Sequence, residues 1–355
     1  MSCYHPLKAF KIGFNPTSEK DILKICSYST DHVEKRPDGK FVAVDNSYTT
    51  PFSTVFRDSV DIPCGKCIGC RLDKSREWAN RCSVELADYE HNYFVTFTYN
   101  DEHLPINEYT DQETGEIKKS FTLYKRDFQL FMKRLRQSYD KDKIRFFMCG
   151  EYGSKNLRPH YHSIFFNLEI PDLKPYKRTD QGNWLYTSEW LSSLWSTPKK
   201  DVYNRPSGNL GYVVIADVDW ECVAYVSRYT TDKINKIDGD IYEKFNVEKE
   251  FLNMSRRPGI GRAFLEDHKE EFFTQDRFYI STRRGARPFT TPRYYRDILA
   301  SEFPDRFDQI KEQNKKFQEA YKLEKERIGE QKYIDLLQNE EYSKLKRIKI
   351  LKRDL

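Results

Sequence analysis

The chain has 355 residues, and its 60 lysines and arginines against 55 aspartates and glutamates give a formal charge of +5. That length can bury a sizeable core as one large domain with insertions or a tail, and the mild basicity permits an anionic partner without demanding one. No run approaches the roughly 18 apolar residues of a membrane span, and the opening Met1-Ser2-Cys3-Tyr4-His5-Pro6 lacks a secretory pattern, so a soluble protein without membrane contact is expected.

Residues 1–60 show no strong periodicity and read as irregular, with turns such as Pro37-Asp38-Gly39. Then comes Pro63-Cys64-Gly65-Lys66-Cys67-Ile68-Gly69-Cys70, whose Cys-x-x-Cys-x-x-Cys spacing and curling glycines suit a zinc knuckle. The eight cysteines of a chain without a signal sequence argue for thiols or metal ligands over disulfides. Cys3 is the first candidate for a fourth zinc ligand, with His5, Cys26 and Cys82 behind it; an iron–sulfur cluster and three plain thiols are the other readings. Helical spacing of Leu72, Trp78, Cys82 and Leu86 follows. Asn92-Tyr93-Phe94-Val95-Thr96-Phe97-Thr98-Tyr99 reads as a central strand. Thr122 is placed to cap a helix running to about Tyr139, with Phe121, Tyr124, Phe128, Phe131 and Leu135 on one stripe.

The most informative stretch is a predicted hairpin. Ile144–Glu151 and Arg158–Phe166 read as strands joined through the turn-rich residues 152–159. Alternation along a strand puts His160 and His162 on one face and Tyr161 on the other. Two adjacent imidazoles can grip a divalent metal, and the hairpin brings Glu151 close as a third ligand. Two sheet histidines bonded to their neighbours are the plain alternative.

Residues 171–198 interrupt the sheet, with a short helix expected from Ser188, before a strand at Gly211–Val218. Asp219 can cap the next helix, from Trp220, which carries Ala224-Tyr225-Val226-Ser227-Arg228-Tyr229-Thr230-Thr231-Asp232-Lys233. Tyr225 and Tyr229 are four apart, so their phenols share a helix face, with Lys233 next in the row and Arg228 close by. Phenols beside fixed cations suit attack on a phosphodiester; an amphipathic helix with core tyrosines is the other reading. A basic turn at Met254–Arg262, a helix near Phe264–Glu271 and a strand at Phe278–Ile280 follow. Arg283, Arg284 and Arg287, interleaved with aromatic residues, have the chemistry of a single-strand groove or of a solvated basic loop. From Asp305 onward, charges of both signs suggest a long exposed helix or a partly disordered tail.

Taken together, the motifs resemble the replication initiators of the gokushovirus branch of microviruses, which belong to the HUH endonucleases. The residues that carry the resemblance are Pro63–Cys70, Phe94–Tyr99, Gly150-Glu151-Tyr152-Gly153, Arg158–His162, Tyr225–Tyr229 and Met254–Gly261, in the family's order. Such initiators often carry a lysine three positions after the second tyrosine; here Asp232 stands there and Lys233 follows.

The resemblance implies an α+β fold with a central antiparallel sheet flanked by helices, after a Cys-rich N-terminal segment and before a helical tail. The expected division is residues 1–70, 71–300 and 301–355. It implies that His160, His162 and Glu151 bind Mg²⁺ or Mn²⁺, and that Tyr225 or Tyr229, aided by Lys233, cleaves the viral strand through a 5′-phosphotyrosine. Structural Zn²⁺ at Cys3, Cys64, Cys67 and Cys70 and DNA contacts by Arg158, Arg228, Arg283, Arg284 and Arg287 complete the expected sites. The partners would be viral single-stranded and origin DNA and a host polymerase and helicase, in the cytoplasm of a bacterial host. A zinc-containing single-strand binding protein without catalysis, or an HUH relaxase or transposase, are the rival readings.

Overall fold

The computed structural model describes the chain apart from residues 1–2, 140–143, 154–155, 181, 199–200, 219–221, 225, 228–239, 275–276, 283–284 and 351–355. It divides into two compact units, Met1–Asp73 with Asn314–Leu355, and Lys74–Gln313.

The first unit is built from short strands. β1 (Leu7–Asn15) pairs with β2 (Lys20–Cys26) and β6 (Ser59–Ile62), while β3 (His32–Lys35) pairs with β4 (Phe41–Val44) and β5 (Thr54–Phe56). A small core of Phe10, Cys26 and Val33 lies within it. This segment was expected to be irregular, and the difference has a physical cause. Most of these strands have four residues or fewer, and β1 and β6 pair across a long sequence separation, so no local period announces them. Helix α1 (Ile68–Ala87) starts in this unit. Two C-terminal helices, Pro304–Ile328 and Glu330–Ile350, meet at Gly329, whose φ of 87° is the left-handed conformation glycine tolerates. Lys325 bonds Asp61 at 2.8 Å and Lys8 bonds Glu330 at 2.8 Å within the unit.

The second unit is α+β, organised by a seven-stranded antiparallel sheet. Its strands are β7 (Asn92–Thr98), β10 (Arg145–Tyr152), β11 (Pro159–Phe166), β12 (Lys174–Arg178), β13 (Trp184–Thr187), β14 (Val213–Asp217) and β15 (Phe251–Met254). They lie in the order β12-β13-β14-β7-β11-β10-β15. Two hairpins stand apart from it, β8 (Ile106–Thr110) with β9 (Ile117–Phe121), and β16 (Arg277–Thr282) with β17 (Gly285–Thr290).

Strand alternation sorts the side chains into two cores. On one face, Val95, Phe97, Phe146, Met148, Tyr161 and Phe165 pack under α2 (Lys125–Ser138) and α3 (Glu189–Leu194). On the other, Phe147, Cys149, Ile164 and Phe166 pack under Ala79 and Cys82 of α1 and under Val223 and Val226. β10 and β11 are therefore buried on both sides, which is why they read as continuous apolar runs.

α2 begins at Lys125, not at Thr122. The amides of Leu123 and Tyr124 donate to the hydroxyls of Tyr152 and Tyr161, and the Thr122 hydroxyl accepts from the Glu248 amide, so sheet contacts consume the groups that a cap would use. Beneath α2, Arg205 makes a bidentate bond to Asp127 at 2.7 and 2.8 Å, and Tyr99 donates to the same carboxylate at 2.7 Å.

The basic turn at 254–262 is structural. Arg81 donates to the Ile260 carbonyl, Arg145 reaches the Pro258 and Gly259 carbonyls, and Glu85 accepts from the Gly261 amide. At Gly261 (φ 76°) a Cβ would sit 2.5 Å from the Tyr295 hydroxyl, so only glycine fits. No helix among the described residues is long and apolar enough to cross a membrane.

Candidate functional site

The β10–β11 ladder pairs Glu151 with His160 and Cys149 with His162, and β7 on the far side of β11 puts Thr98 beside His160 and Thr96 beside His162. Because side chains alternate, Glu151, His160, His162 and Thr96 share the face on which Phe147, Ile164 and Phe166 also lie, and Tyr161 is fully buried on the opposite one. The three candidate ligand atoms lie within 4.8 Å of one another. One carboxylate oxygen of Glu151 stands 2.9 Å from His160 Nε2 and 3.1 Å from His162 Nε2.

Those separations suit a metal. An octahedral ion with bonds of about 2.1 Å has adjacent ligands about 3.0 Å apart. The donor set, two imidazole nitrogens and a carboxylate oxygen, matches Mg²⁺ or Mn²⁺ chemistry with positions left for water or phosphate oxygens. Burial works against a charged Glu151, yet hydrogen bonds from His160 and His162 outweigh it and hold the carboxyl down at about 2. The carboxylate is therefore ionised at neutral pH and ready to accept a cation. The side chains of Glu151 and His162 are 4% and 10% exposed while that of His160 is 19% exposed, so the trio opens to solvent on the His160 side.

The far nitrogens of the two rings are also held. His160 Nδ1 lies 3.2 Å from the Arg158 carbonyl, which can only accept, so this nitrogen carries the proton and Nε2 faces the trio. His162 Nδ1 meets the Thr96 hydroxyl at 2.9 Å, and the Phe94 ring stacks on His162 with centroids 5.3 Å apart. Outer partners of this kind orient metal-binding imidazoles. Thr96 and Phe94 were not singled out from the sequence. The only signal was a polar residue in an aromatic strand, and its meaning depends on the β7–β11 register.

The remaining candidates fall into three groups. Cys3, Cys64, Cys67 and Cys70 bring their sulfurs within 4.8 Å of one another. The competing fourth ligands are engaged elsewhere: His5 bonds Glu341, Cys26 lies in the small core of the first unit, and Cys82 is in the sheet core. Arg158 donates to Asp101 at 2.6 Å and to the Tyr99 carbonyl at 2.9 Å. Tyr225, Tyr229, Lys233, Arg228, Arg283 and Arg284 lie outside the described residues, as do Asp219 and the Arg287 side chain. Residues 222–224, 226 and 227 are helical, and Val223 and Val226 are fully buried against the sheet face that carries the Glu151–His160–His162 trio.

A mixed fold with a His-His-Glu trio open to solvent on one side defines a class of candidate nucleic-acid proteins, and comparison with known proteins narrows it. Residues 92–234 match the family described as replication-associated protein ORF2. The chain is 32% identical over 307 residues to replication-associated protein ORF2 of Spiroplasma virus 4, covering 85% of this chain and 87% of that protein. It is 30% identical to replication-associated protein VP4 of Bdellovibrio phage phiMH2K, covering 86% and 80%, and 29% identical to replication-associated protein ORF4 of Chlamydia phage 1, covering 68% and 54%. No solved structure matches significantly. The chain belongs to the replication-associated proteins of gokushovirus-type microviruses.

Proposed function

We propose that this protein initiates rolling-circle replication of a single-stranded phage genome by nicking and rejoining DNA, as a two-tyrosine HUH endonuclease. Family membership supports a role in phage DNA replication. The observation that carries the finer reading is the Glu151–His160–His162 trio, set on the sheet face against which Val223 and Val226 pack a helical segment.

Mg²⁺ or Mn²⁺ held by that trio would supply Lewis-acid polarisation of the scissile phosphate. The chain's own residues do the rest. Tyr225 or Tyr229 attacks phosphorus with its phenol oxygen and gives up its proton. The bond from phosphorus to the 3′ oxygen breaks, and that oxygen takes up a proton and departs as a 3′-hydroxyl. A free phenol has a pKa of about 10, so Lys233 and Arg228 are assigned to hold the charge that develops on the attacking oxygen. Arg158, Arg283, Arg284 and Arg287 are assigned to the DNA phosphates.

The 5′-phosphotyrosine keeps the energy of the broken phosphodiester, so rejoining needs no nucleotide cofactor. The released 3′-hydroxyl can prime a host polymerase while a host helicase opens the duplex. After one round the second tyrosine cuts the regenerated site, and the new 3′-hydroxyl attacks the first linkage to close a circle.

The test uses the phage's circular single-stranded genome with Mn²⁺, followed by nuclease digestion and mass spectrometry of the protein. A nucleotide attached to Tyr225 or Tyr229 is expected, partial adduct in either Tyr→Phe single variant and none in the double. Full adduct in the double variant, or in a His160→Ala/His162→Ala variant, refutes the reading. DNA binding with no adduct from the wild-type chain favours the non-catalytic alternative.

A further inference from the structure

We propose that Cys3, Cys64, Cys67 and Cys70 form a structural zinc site of the tetrathiolate class, fastening the beginning of the chain to the loop that enters α1. The four residues lie within one compact unit and outside the segment matched by the family, so the inference stands apart from the nicking reading.

Geometry carries it. Four sulfurs at zinc–sulfur bonds of about 2.3 Å occupy a tetrahedron with edges of about 3.8 Å. Here Cys3 and Cys67 are 3.9 Å apart and Cys64 and Cys70 are 4.0 Å apart, two edges that share no sulfur. Both separations are far beyond the roughly 2.05 Å of a disulfide, and all four cysteines are free.

The surroundings are those of thiolates, which need hydrogen-bond donors to offset their charge. Cys64 Sγ accepts from the amides of Lys66 and Cys67 at 3.4 and 3.3 Å. Cys67 Sγ accepts from the amides of Tyr4 and Cys70, and Cys3 Sγ accepts from the Cys64 amide at 3.2 Å. Gly65, with φ of 72°, supplies the left-handed turn that wraps these amides around the sulfurs. The first turn of α1 holds Cys70, where the positive end of the helix favours an anionic ligand. Cys3 and Cys67 are buried, while Cys64 and Cys70 are half-buried.

The position explains what the ion would do. The β1–β6 ladder ends at the Leu7–Ile62 pair, with Cys3 four residues before it and Cys64 two residues after it. A shared ion closes the open end of that ladder. The first unit has only a small apolar core, and a unit of that kind gains most from such a staple. Binding replaces thiol protons with Zn²⁺ and involves no change of oxidation state.

The full-length protein, purified without added metal, should contain one zinc per chain by elemental mass spectrometry. Titration with an organomercurial should release that zinc in step with modification of the cluster thiols. Exchange with Co²⁺ should give the visible spectrum of a tetrahedral tetrathiolate. A Glu151→Ala/His160→Ala/His162→Ala variant and a Cys222→Ser variant should keep the zinc, and Cys64→Ser/Cys70→Ser should lose it. Should that last variant fail to fold, the wild-type titration and the Co²⁺ spectrum decide. Zinc-free wild-type protein, a disulfide among the four, iron with sulfide, or zinc retained in the double cysteine variant overturns the proposal. Loss of nicking with zinc intact would count against the proposed catalytic reading alone.

Discussion

The Thr96 hydroxyl gives the sharpest test of how the trio is held. Replacing Thr96 by valine keeps the side-chain volume and removes the oxygen that lies 2.9 Å from His162 Nδ1. Two estimates of the cost agree. Losing an outer partner of a metal-binding imidazole typically costs 10- to 100-fold in affinity, or about 1.4–2.8 kcal/mol. Leaving a buried N–H without an acceptor costs about 1–3 kcal/mol, and His162 is only 8% exposed. Free Mn²⁺ measured by electron paramagnetic resonance should therefore show affinity reduced about tenfold or more. DNA cleavage should recover near wild-type rate once Mn²⁺ is raised accordingly. Thr98→Val is the matched control, since that hydroxyl donates to the Tyr212 carbonyl at 3.3 Å. Unchanged Mn²⁺ affinity in Thr96→Val, or an equal loss in Thr98→Val, would refute the reasoning.

Acid should act on the same trio from another side. The folded pKa of Glu151, about 2, lies below its ordinary 4.5, so its contribution to stability is complete above about 4.5 and is lost as the pH falls toward 2. Thermal unfolding of metal-free protein should show this loss, and Glu151→Gln should flatten part of it; identical acid slopes would count against the assignment. Asp127→Ala would leave the Arg205 guanidinium, itself 8% exposed, without its bidentate partner. A destabilisation of about 3–5 kcal/mol is expected in denaturant melts, and a change under about 1 kcal/mol would show that Asp201 and nearby carbonyls suffice.

Much of the sheet was legible because its signals are local. Period-two alternation identified β7, β10 and β11, and the turn residues between Glu151 and Arg158 announced the hairpin. The same alternation separated His160 and His162 from Tyr161. The short strands of the first unit escaped because they pair over long separations. The helix expected from Thr122 started later because tyrosines from the sheet had taken its backbone groups. The arginines of the 254–262 segment looked like a basic surface, yet the segment's carbonyls are claimed by Arg81 and Arg145 from distant elements.

By itself the sequence determined which residue types can carry the chemistry: two imidazoles on one strand face, paired phenols on a helix, and cysteines at metal-binding intervals. Those follow from backbone periods that any short segment expresses. Only the tertiary structure decided that Glu151 stands opposite His160, that Thr96 holds the far nitrogen of His162, and that Cys3 stands beside Cys67. Register between strands and closure of long loops are set by the packing of the whole core, and no local window of sequence contains that information.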